Sequence, residues 1–337
     1  MKDKEIIIQN LALELTRRCN LNCAHCMRGE IQNKVMDDRT IERVFEDIDG
    51  VYNLQFAGGE TSLALDRLKK VLQEIKKNKT IVRSFVIFTN AVNISNEYIE
   101  LLEEFKNYIK ENNINDERFN DSFDYEYRGL IQIFSNEYPL QIVVSLDKYH
   151  LQAIDNLTSR EKVKQNIEKL LEHFPVEIDK ICNYSLYNEG NARNISSSFK
   201  EASPTQKYSG IYWKGTEGSR DLVMIGPIVT ISHDGRIIDA NKEYDYCDST
   251  AIGCIHEESF YSMLKKLQAK KKFKLCKSID ELYKKYDDIM HETTTSSRSL
   301  RHMIKFYKKA RITQDYSYFL DETKPNYDEL KKTSLKK

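Results

Sequence analysis

The sequence predicts an α/β fold in which a parallel sheet is followed by a smaller α+β extension. Short apolar runs alternate with helical stripes through the first two-thirds of the chain, which is typical of βαβ units. A hairpin signal follows at residues 228–238, and helical patterns dominate after Ser259. Five or six βαβ units form either part of a barrel or an open doubly wound sheet, and periodicity leaves both arrangements open.

The strands and helices are predicted in alternation. Strands are expected at residues 11–16, 54–57, 85–88 and 142–144, with a fifth between 178 and 186. Each helix is marked by apolar residues spaced three or four apart, which form one helical face. These stripes begin at Ile41, Leu68, Tyr98 and Val163, and Ser95 is placed to cap the third helix. Residues 106–138 are weakly periodic and are interpreted as an insertion.

The last third of the chain is expected to form the extension. Its hairpin strands are predicted at 228–231 and 236–238, with Asp234 and Gly235 at the bend. We therefore expect three regions: a core over 1–215, an extension over 216–290, and a helical segment with a tail over 291–337.

Composition and charge exclude several classes of protein. Forty per cent of residues are apolar and 31% are charged, which is ordinary for a globular protein with a sizeable core. Lys plus Arg and Asp plus Glu each number 52, so the formal net charge is zero. This balance argues against a nucleic acid partner that binds through the overall charge of the surface. No apolar run approaches the roughly 20 residues of a membrane span, and the first residues are too acidic for a signal peptide. We expect a cytoplasmic protein without a membrane partner, whose cysteines are ligands or core residues rather than disulfides.

Three cysteines follow the first strand with the spacing C-x3-C-x2-C: Cys19, Cys23 and Cys26. Seven cysteines placed at random in 337 residues give such a triplet about 0.003 times, so the spacing is a signal. Structural zinc prefers four closed ligands, usually as two Cys/His pairs, and here the second pair would be His25 plus a distant residue. Three thiolates on an iron–sulfur cube instead leave one iron without a protein ligand, open to a small molecule. Either interpretation predicts a metal site.

The loop from Thr16 to Cys26, with the sequence TRRCNLNCAHC, resembles the signature loop of the radical S-adenosylmethionine (radical SAM) superfamily. The resemblance implies a partial (β/α)6 TIM-like barrel with a C-terminal α+β extension, and places the loop after the first strand. It also implies that Cys19, Cys23 and Cys26 bind a 4Fe-4S cluster whose open iron binds SAM. In this family the residue at the position of His25 lies near the adenine. A flavodoxin or ferredoxin-type electron donor is expected as a partner.

Residues at three further strand ends support the resemblance. Gly58, Gly59 and Glu60 are similar to the family's GGE motif, in which glycines permit close approach to a ligand and the carboxylate accepts from an ammonium group. The resemblance implies that this segment binds the amino group of SAM. The other cofactor contacts that it implies are Thr89, Asn90, Ser145 and Asp147. For each polar side chain the alternative is helix capping or loop hydrogen bonding.

Three further positions either depart from the family's pattern or have more than one interpretation. Thr61 stands where the family commonly has proline. His150 either contacts substrate, shuttles a proton, or is a loop residue bonded to the backbone. Asn191 stands where many relatives carry the arginine of a Gly-Arg-Ala turn, so the ligand of the SAM carboxylate is left unassigned.

Residues 228–259 resemble a SPASM or twitch extension in degenerate form. The cysteine that such extensions carry after Asp-Gly is absent, and Cys247, Cys254 and Cys276 do not reproduce the dense cysteine block of a full SPASM domain. We expect an extension that covers the substrate opening and holds no auxiliary cluster, with a second cluster on these three cysteines as the alternative. Cys182 is interpreted as a core residue.

The resulting hypothesis is a radical SAM enzyme that cleaves SAM reductively to a 5′-deoxyadenosyl radical, which abstracts hydrogen from a substrate. The SPASM-like stretch favours modification of a peptide or protein. Against it, the first strand begins within about 15 residues of Met1, leaving no room for an N-terminal recognition domain of about 50 residues. The alternatives are a nucleoside, sugar or other small metabolite as substrate, and a non-catalytic iron–sulfur or zinc scaffold or sensor. No catalytic residue is assigned.

Overall fold

The computed structural model describes residues 5–112, 140–179, 190–195, 208–214, 222–227, 229–239, 251–269 and 274–276. Several features predicted from the sequence lie outside these ranges, namely residues 113–138 of the insertion, Cys182, Cys247 and the C-terminal region 291–337, while residues 106–112 of the predicted insertion are helical. Within the ranges, no helix combines the length and the apolar character that crossing a membrane requires.

Five parallel strands form the centre of the fold. They are β1 (Glu5–Thr16), β2 (Gly50–Gly58), β3 (Ile81–Thr89), β4 (Leu140–Ser145) and β5 (Val176–Asp179), and they pair in chain order. A doubly wound sheet reverses its strand order at a switch point, whereas consecutive order lets a twisted sheet curl towards a barrel. The structure thus confirms the α/β class and decides between the two alternatives in favour of the partial barrel.

Helices connect these strands. They are α1 (Asp38–Asp47), α2 (Leu65–Asn78), α3 (Asn96–Asn112), α4 (Lys148–Leu157) and α5 (Arg160–Leu171). All but α4 bury the apolar stripes that the sequence predicts. The Ser95 hydroxyl accepts a hydrogen bond from Tyr98 N–H at 3.1 Å, which confirms the predicted cap of α3. Helix α4 is not among the helices that the sequence analysis predicts.

One face of the parallel sheet is apolar and packs against helices. Leu13, Phe56 and Ile87 lie side by side in register on β1, β2 and β3, and all three are fully buried. The ring of Phe105 on α3 contacts Phe56 at 5.7 Å between centroids, and Phe85 at 4.6 Å. Alternate residues of a strand point to opposite sides, and the opposite face includes the buried polar side chains of Glu14, Gln55 and Gln141.

The strand boundaries differ from the prediction: β2, β3 and β4 each begin earlier and end later than predicted, and β1 and β5 begin earlier. β1 begins at Glu5 rather than at Leu11, because Ile6 to Ile8 also pair antiparallel with β6 (Tyr208–Lys214). β5 begins at Val176 rather than Ile178, and the remainder of the predicted strand lies outside the described residues. Both differences reflect pairing partners that are distant in sequence.

The C-terminal strands belong to the same sheet. β6 also pairs with β7 (Leu222–Pro227), and β7 pairs with β11 (Lys274–Cys276). β8 (Val229–Ile231) runs parallel to β1, and β9 (Arg236–Asp239), β10 (Ala251–Cys254) and α6 (Phe260–Ala269) follow. The β8–β9 hairpin confirms the predicted bend, where Gly235 has a left-handed φ of +80°. Because β8 is parallel to β1, this bend lies at the same edge as the end of β1.

Candidate functional site

The carboxyl ends of β1 to β4 meet at one edge of the sheet, and the predicted site residues follow these ends. The cysteine loop (residues 17–29) follows β1, Glu60 follows β2, Asn90 follows β3 and Asp147 follows β4. Barrels of this kind build their sites at this edge, because the strands fix positions and the loops supply chemistry. The structure therefore brings together residues that are separated along the chain.

The cysteine loop is structured and its three thiols are free. Cys26 N–H donates to Cys23 O at 3.1 Å, and Leu21 N–H donates to Cys19 Sγ at 3.4 Å. Cys23 is buried, and Cys19 and Cys26 are partly buried against the hydrophobic core. The loop thus holds its sulfur atoms in a protected environment.

This set of donors fits an iron–sulfur cluster. Burial raises the pKa of all three thiols, that of Cys19 to about 11. Cys19 and Cys26 each raise the pKa of Cys23 further, because a charge on one thiolate disfavours a charge on the next. Bound metal neutralises such thiolates and releases their protons. Three thiolates held this way suit a cluster that keeps one iron free of protein ligands.

Gly58 and Gly59 allow the segment after β2 to pack directly on the cysteine loop. Gly59 N–H donates to Thr16 O at 2.6 Å, and Glu60 N–H donates to Arg18 O at 2.8 Å. A Cβ atom would lie 2.3 Å from Thr16 O if placed on Gly58, and 2.0 Å from Arg18 O if placed on Gly59. The sequence analysis expects these glycines to approach a ligand, and the group they approach in the structure is the backbone of the loop.

Glu60 is a buried carboxylate, 1% exposed, that joins the ends of β2 and β3. Its Oε1 accepts from Ser62 N–H at 3.0 Å and from Thr89 Oγ1 at 2.7 Å, and its Oε2 accepts from Asn90 N–H at 2.8 Å. A carboxylate offers about four acceptor positions. Within the described part of the chain, one position on Oε2 therefore has no protein donor and is available to an external donor such as an ammonium group.

Thr61, at the family's usual proline position, has a structural partner. Its Oγ1 donates to Phe88 O at 2.9 Å and lies 3.0 Å from the hydroxyl of Tyr98 on α3. Tyr98 is fully buried, and burial raises the pKa of its phenol strongly. A buried hydroxyl needs a hydrogen-bond partner, which Thr61 supplies and proline would not.

Asn90 connects the end of β3 to the cysteine loop. Its Nδ2 donates to Asn20 Oδ1 at 2.7 Å and lies 3.8 Å from Cys19 Sγ, while its Oδ1 accepts from Val92 N–H at 3.0 Å. Because Thr89 and Asn90 both bind Glu60, the β3 end, the glycine segment and the loop form one hydrogen-bonded unit.

Asp147 caps α4 and contacts two imidazoles. Its Oδ1 accepts from the N–H groups of Tyr149 and His150 at 2.8 and 3.2 Å. Its Oδ2 lies 2.5 Å from His150 Nδ1 and 3.2 Å from His25 Nε2. Burial alone raises the pKa of Asp147, but the hydrogen bonds from His150 and His25 outweigh it, and the pKa is lowered. All four acceptor positions of the Asp147 carboxylate are thus occupied. Ser145, two residues earlier at the end of β4, is partly exposed.

His25 lies in an aromatic and polar cluster at this edge. Its ring stacks on Tyr149 with centroids 4.8 Å apart and meets His150 edge-on at 4.9 Å. Its Nδ1 is buried without a hydrogen-bond partner in the described part of the chain. The ligand atoms of His25, Asp147 and His150 lie within 4.8 Å of one another. His150 thus bonds a carboxylate from a helix, which corrects its interpretation as a loop residue bonded to backbone.

A second polar cluster behind the cysteine loop is not predicted by the sequence analysis. Glu14 on β1 is 0% exposed and forms ion pairs with Arg17 at 3.3 Å and Arg28 at 3.4 Å. His233, at the β8–β9 bend, lies 3.3 Å from the same carboxylate. In the sequence, this cluster is indicated by the single charged residue, Glu14, within the otherwise apolar strand LALELT.

Asn191 contacts the cysteine loop, whereas Cys254 and Cys276 lie on two different strand pairs of the C-terminal part. Asn191 N–H donates to Cys26 O at 3.0 Å, in the short 3-10 helix Gly190–Asn194. Cys254 at the end of β10 is a free thiol whose Sγ lies 3.8 Å from Asp234 O. Cys276 lies on β11, which pairs with β7, whereas β10 pairs with β9.

A family model described as the radical SAM superfamily matches residues 13–187, just over half of the chain. The matched segment begins within β1 and includes the cysteine loop, the glycine segment and the ends of β3 and β4.

One curated protein matches over a short segment, and the solved structures match over a longer part of the chain but at low sequence identity. Uncharacterized protein MJ0907 of Methanocaldococcus jannaschii is 31% identical over 101 residues, which are 29% of this chain and 35% of that protein. The chain thus spans about a third of the length of this curated relative. The solved structure of anSMEcpe with bound AdoMet and Cp18Cys peptide is 13% identical, with a TM-score of 0.46 over 77% of this chain and 80% of that one. Streptococcus suis SuiB bound to S-adenosylmethionine is 13% identical, with a TM-score of 0.34 over 75% of this chain and 64% of that one.

Proposed function

The chain belongs to the radical SAM superfamily, and we propose that it is an enzyme that cleaves SAM reductively to act on a peptide or protein. The observation that carries this proposal is the structured loop on which Cys19, Cys23 and Cys26 lie free and protected. When bound there, a 4Fe-4S cluster supplies the electron that cleaves SAM to methionine and a 5′-deoxyadenosyl radical, which abstracts hydrogen from the substrate. The expected electron donor is a flavodoxin or ferredoxin-type protein.

The residues around the loop have distinct proposed roles. Glu60 binds the amino group of SAM through the remaining acceptor position of Oε2, and Thr89 and Asn90 hold this carboxylate in place. The segment of Gly58 and Gly59 fixes the distance between Glu60 and the loop, because its backbone bonds the loop directly.

The cluster around Asp147 positions the adenosine end of the ligand in this proposal. Asp147 orients the ring of His25, which provides a flat surface beside the adenine. A contact between Asp147 and the ribose hydroxyls requires that one imidazole gives up its hydrogen bond, since the carboxylate is fully engaged. Ser145, partly exposed at the end of β4, supplies the second proposed ribose contact.

The proposed peptide or protein substrate rests on the C-terminal extension. Residues 228–259 resemble a SPASM or twitch extension, and the β8–β9 bend lies at the edge of the sheet that carries the cysteine loop. The position of this bend supports the hypothesis that the extension forms a wall of the substrate opening.

Anaerobic reconstitution with iron and sulfide tests the proposed chemistry. We expect about four irons per chain, and 5′-deoxyadenosine after addition of SAM and dithionite. Cys23→Ala should abolish both, whereas the matched variant Cys254→Ala should retain both, because Cys254 is a free thiol outside the loop. Stoichiometric zinc, or a cluster that yields no 5′-deoxyadenosine, would indicate a scaffold or sensor instead. About eight irons per chain would require an auxiliary cluster.

The substrate class is tested by isotope transfer. Synthetic peptides with deuterium in their side chains and at their α-carbons should transfer deuterium into 5′-deoxyadenosine. Transfer from deuterated nucleosides or sugars, but not from the peptides, would replace the peptide assignment with the small-metabolite alternative.

A further inference from the structure

A buried carboxylate that belongs to none of the family motifs lies directly behind the cysteine loop. Glu14 is on β1, two residues before the strand ends, on the face opposite to Leu13 and Leu15. Its side chain is 0% exposed, and a Cβ placed on Gly58 would lie 3.0 Å from it. Burial of a carboxylate is costly unless other charges or hydrogen bonds compensate, so its partners indicate why it is there.

The partners of Glu14 come from both ends of the loop and from the extension. Arg17, two residues before Cys19, directs its Nε to both carboxylate oxygens at 3.3 Å. Arg28, two residues after Cys26, directs its Nε to Oε1 at 3.4 Å. His233 contacts Oε2 through its backbone N–H at 3.4 Å and its Nδ1 at 3.3 Å.

The charges of Arg17 and Arg28 flank the cysteine ligands along the chain and are shielded from solvent. The side chains of Arg17 and Arg28 are 6% and 10% exposed, so salt and water screen them weakly. Arg28 follows Cys26 by two residues, in a turn closed by the hydrogen bond from Gly29 N–H to Cys26 O at 3.1 Å. A charge on this turn lies beside any cluster that Cys26 binds.

We infer that Glu14 is a positioning residue that keeps the reduction potential of the bound cluster low by offsetting the charges of Arg17 and Arg28. This inference rests on the proposed function, because it requires the cluster. Reduction adds one negative charge to the cluster, so nearby cations favour it and a nearby carboxylate opposes it. Loss of the Glu14 charge therefore raises the potential, and loss of the Arg28 charge lowers it.

A redox titration of the reconstituted full-length chain, followed by electron paramagnetic resonance, tests this inference. At a fixed potential, Glu14→Gln should increase the ratio of reduced to oxidised cluster about tenfold, which corresponds to about 59 mV for one electron. Arg28→Gln should change the ratio in the opposite direction. Opposite signs are the signature of a charge effect, since simple loosening of the loop moves both variants the same way.

Two controls separate charge from structure. Glu14→Asp keeps the charge and should leave the potential close to that of the wild type. Glu74→Gln is the matched control, because Glu74 is also a buried carboxylate paired with two cations, Lys70 and Lys77, but it lies on α2. This variant should leave the potential unchanged.

Each outcome decides the inference. Unchanged potentials in Glu14→Gln and Arg28→Gln, or shifts of the same sign, would overturn it while leaving the proposed function intact. Loss of the cluster from both variants would also overturn it, because Glu14 would then serve to hold the loop. A wild-type chain that binds no cluster would instead contradict the proposed function.

Discussion

Replacement of Glu60 by glutamine perturbs the point where β2, β3 and the cysteine loop are joined. The carboxylate accepts three hydrogen bonds, from Ser62 N–H, Thr89 Oγ1 and Asn90 N–H, at distances of 3.0, 2.7 and 2.8 Å. Glutamine has nearly the same shape but only one oxygen. If this oxygen replaces Oε1 and keeps the first two donors, the new amide NH2 group faces Asn90 N–H, donor against donor.

The cost follows from these contacts. A hydrogen bond to a charged group contributes about 1.5–3 kcal/mol, and one between neutral groups about 0.5–1.5 kcal/mol. The bonds from Ser62 N–H and Thr89 Oγ1 are kept but become neutral, so their combined contribution to stability falls by about 2 kcal/mol. The buried N–H of Asn90 loses its acceptor, at a cost of about 1–3 kcal/mol. Relief from burying a charge offsets part of this sum. We therefore expect the free energy of unfolding to fall by about 2–5 kcal/mol.

Urea unfolding of the reduced, metal-free chain, followed by circular dichroism, measures this change. Ser62→Ala is the matched control, because the Ser62 hydroxyl is buried and has no hydrogen-bond partner in the described part of the chain. Its loss should change the free energy of unfolding by less than about 1 kcal/mol. A Glu60→Gln variant as stable as the Ser62→Ala control would refute the structural role assigned to Glu60.

Two further predictions concern buried polar groups near the site. Thr61→Val removes the partner of the Tyr98 hydroxyl and should cost about 1–3 kcal/mol, and the loss in the double variant with Tyr98→Phe should be smaller than the sum of the single losses. Additive losses in urea unfolding would show that the two hydroxyls do not interact. The lowered pKa of Asp147 stabilises the fold above the carboxyl's unfolded pKa of about 3.9, and this contribution is lost as the pH falls through the folded value. The metal-free wild type should therefore lose more stability than Asp147→Asn between about pH 5 and pH 3, and parallel losses would contradict the pairing with the imidazoles.

Local patterns were sufficient to predict the central sheet and most of its helices. The stripes that begin at Ile41 and Leu68 are long and regular, so their burial in α1 and α2 could be predicted without knowing what covers them. Helix α4 was missed because only Leu151 and Ile154 are buried in it, which is too short a stripe to identify. The choice of a partial barrel depends on which strands pair, and that is a property of the whole chain.

The site could be predicted only where its residues follow strand ends in the order of a familiar motif. Glu14 was missed because two of its partners, Arg28 and His233, are remote in sequence and nothing local relates them. Gly58 and Gly59 were expected to approach a ligand, and the sequence does not reveal that protein backbone also lies against them. In the structure it is the backbone of the cysteine loop.

The central claim is that Cys19, Cys23 and Cys26 hold a cluster with one iron left for SAM. Electron paramagnetic resonance of the anaerobically reconstituted, dithionite-reduced chain, recorded with and without SAM, tests it most directly. We expect the signal of a reduced 4Fe-4S cluster whose shape changes when SAM is added. A reduced cluster with the same spectrum in both samples, or no cluster signal at all, would contradict the claim.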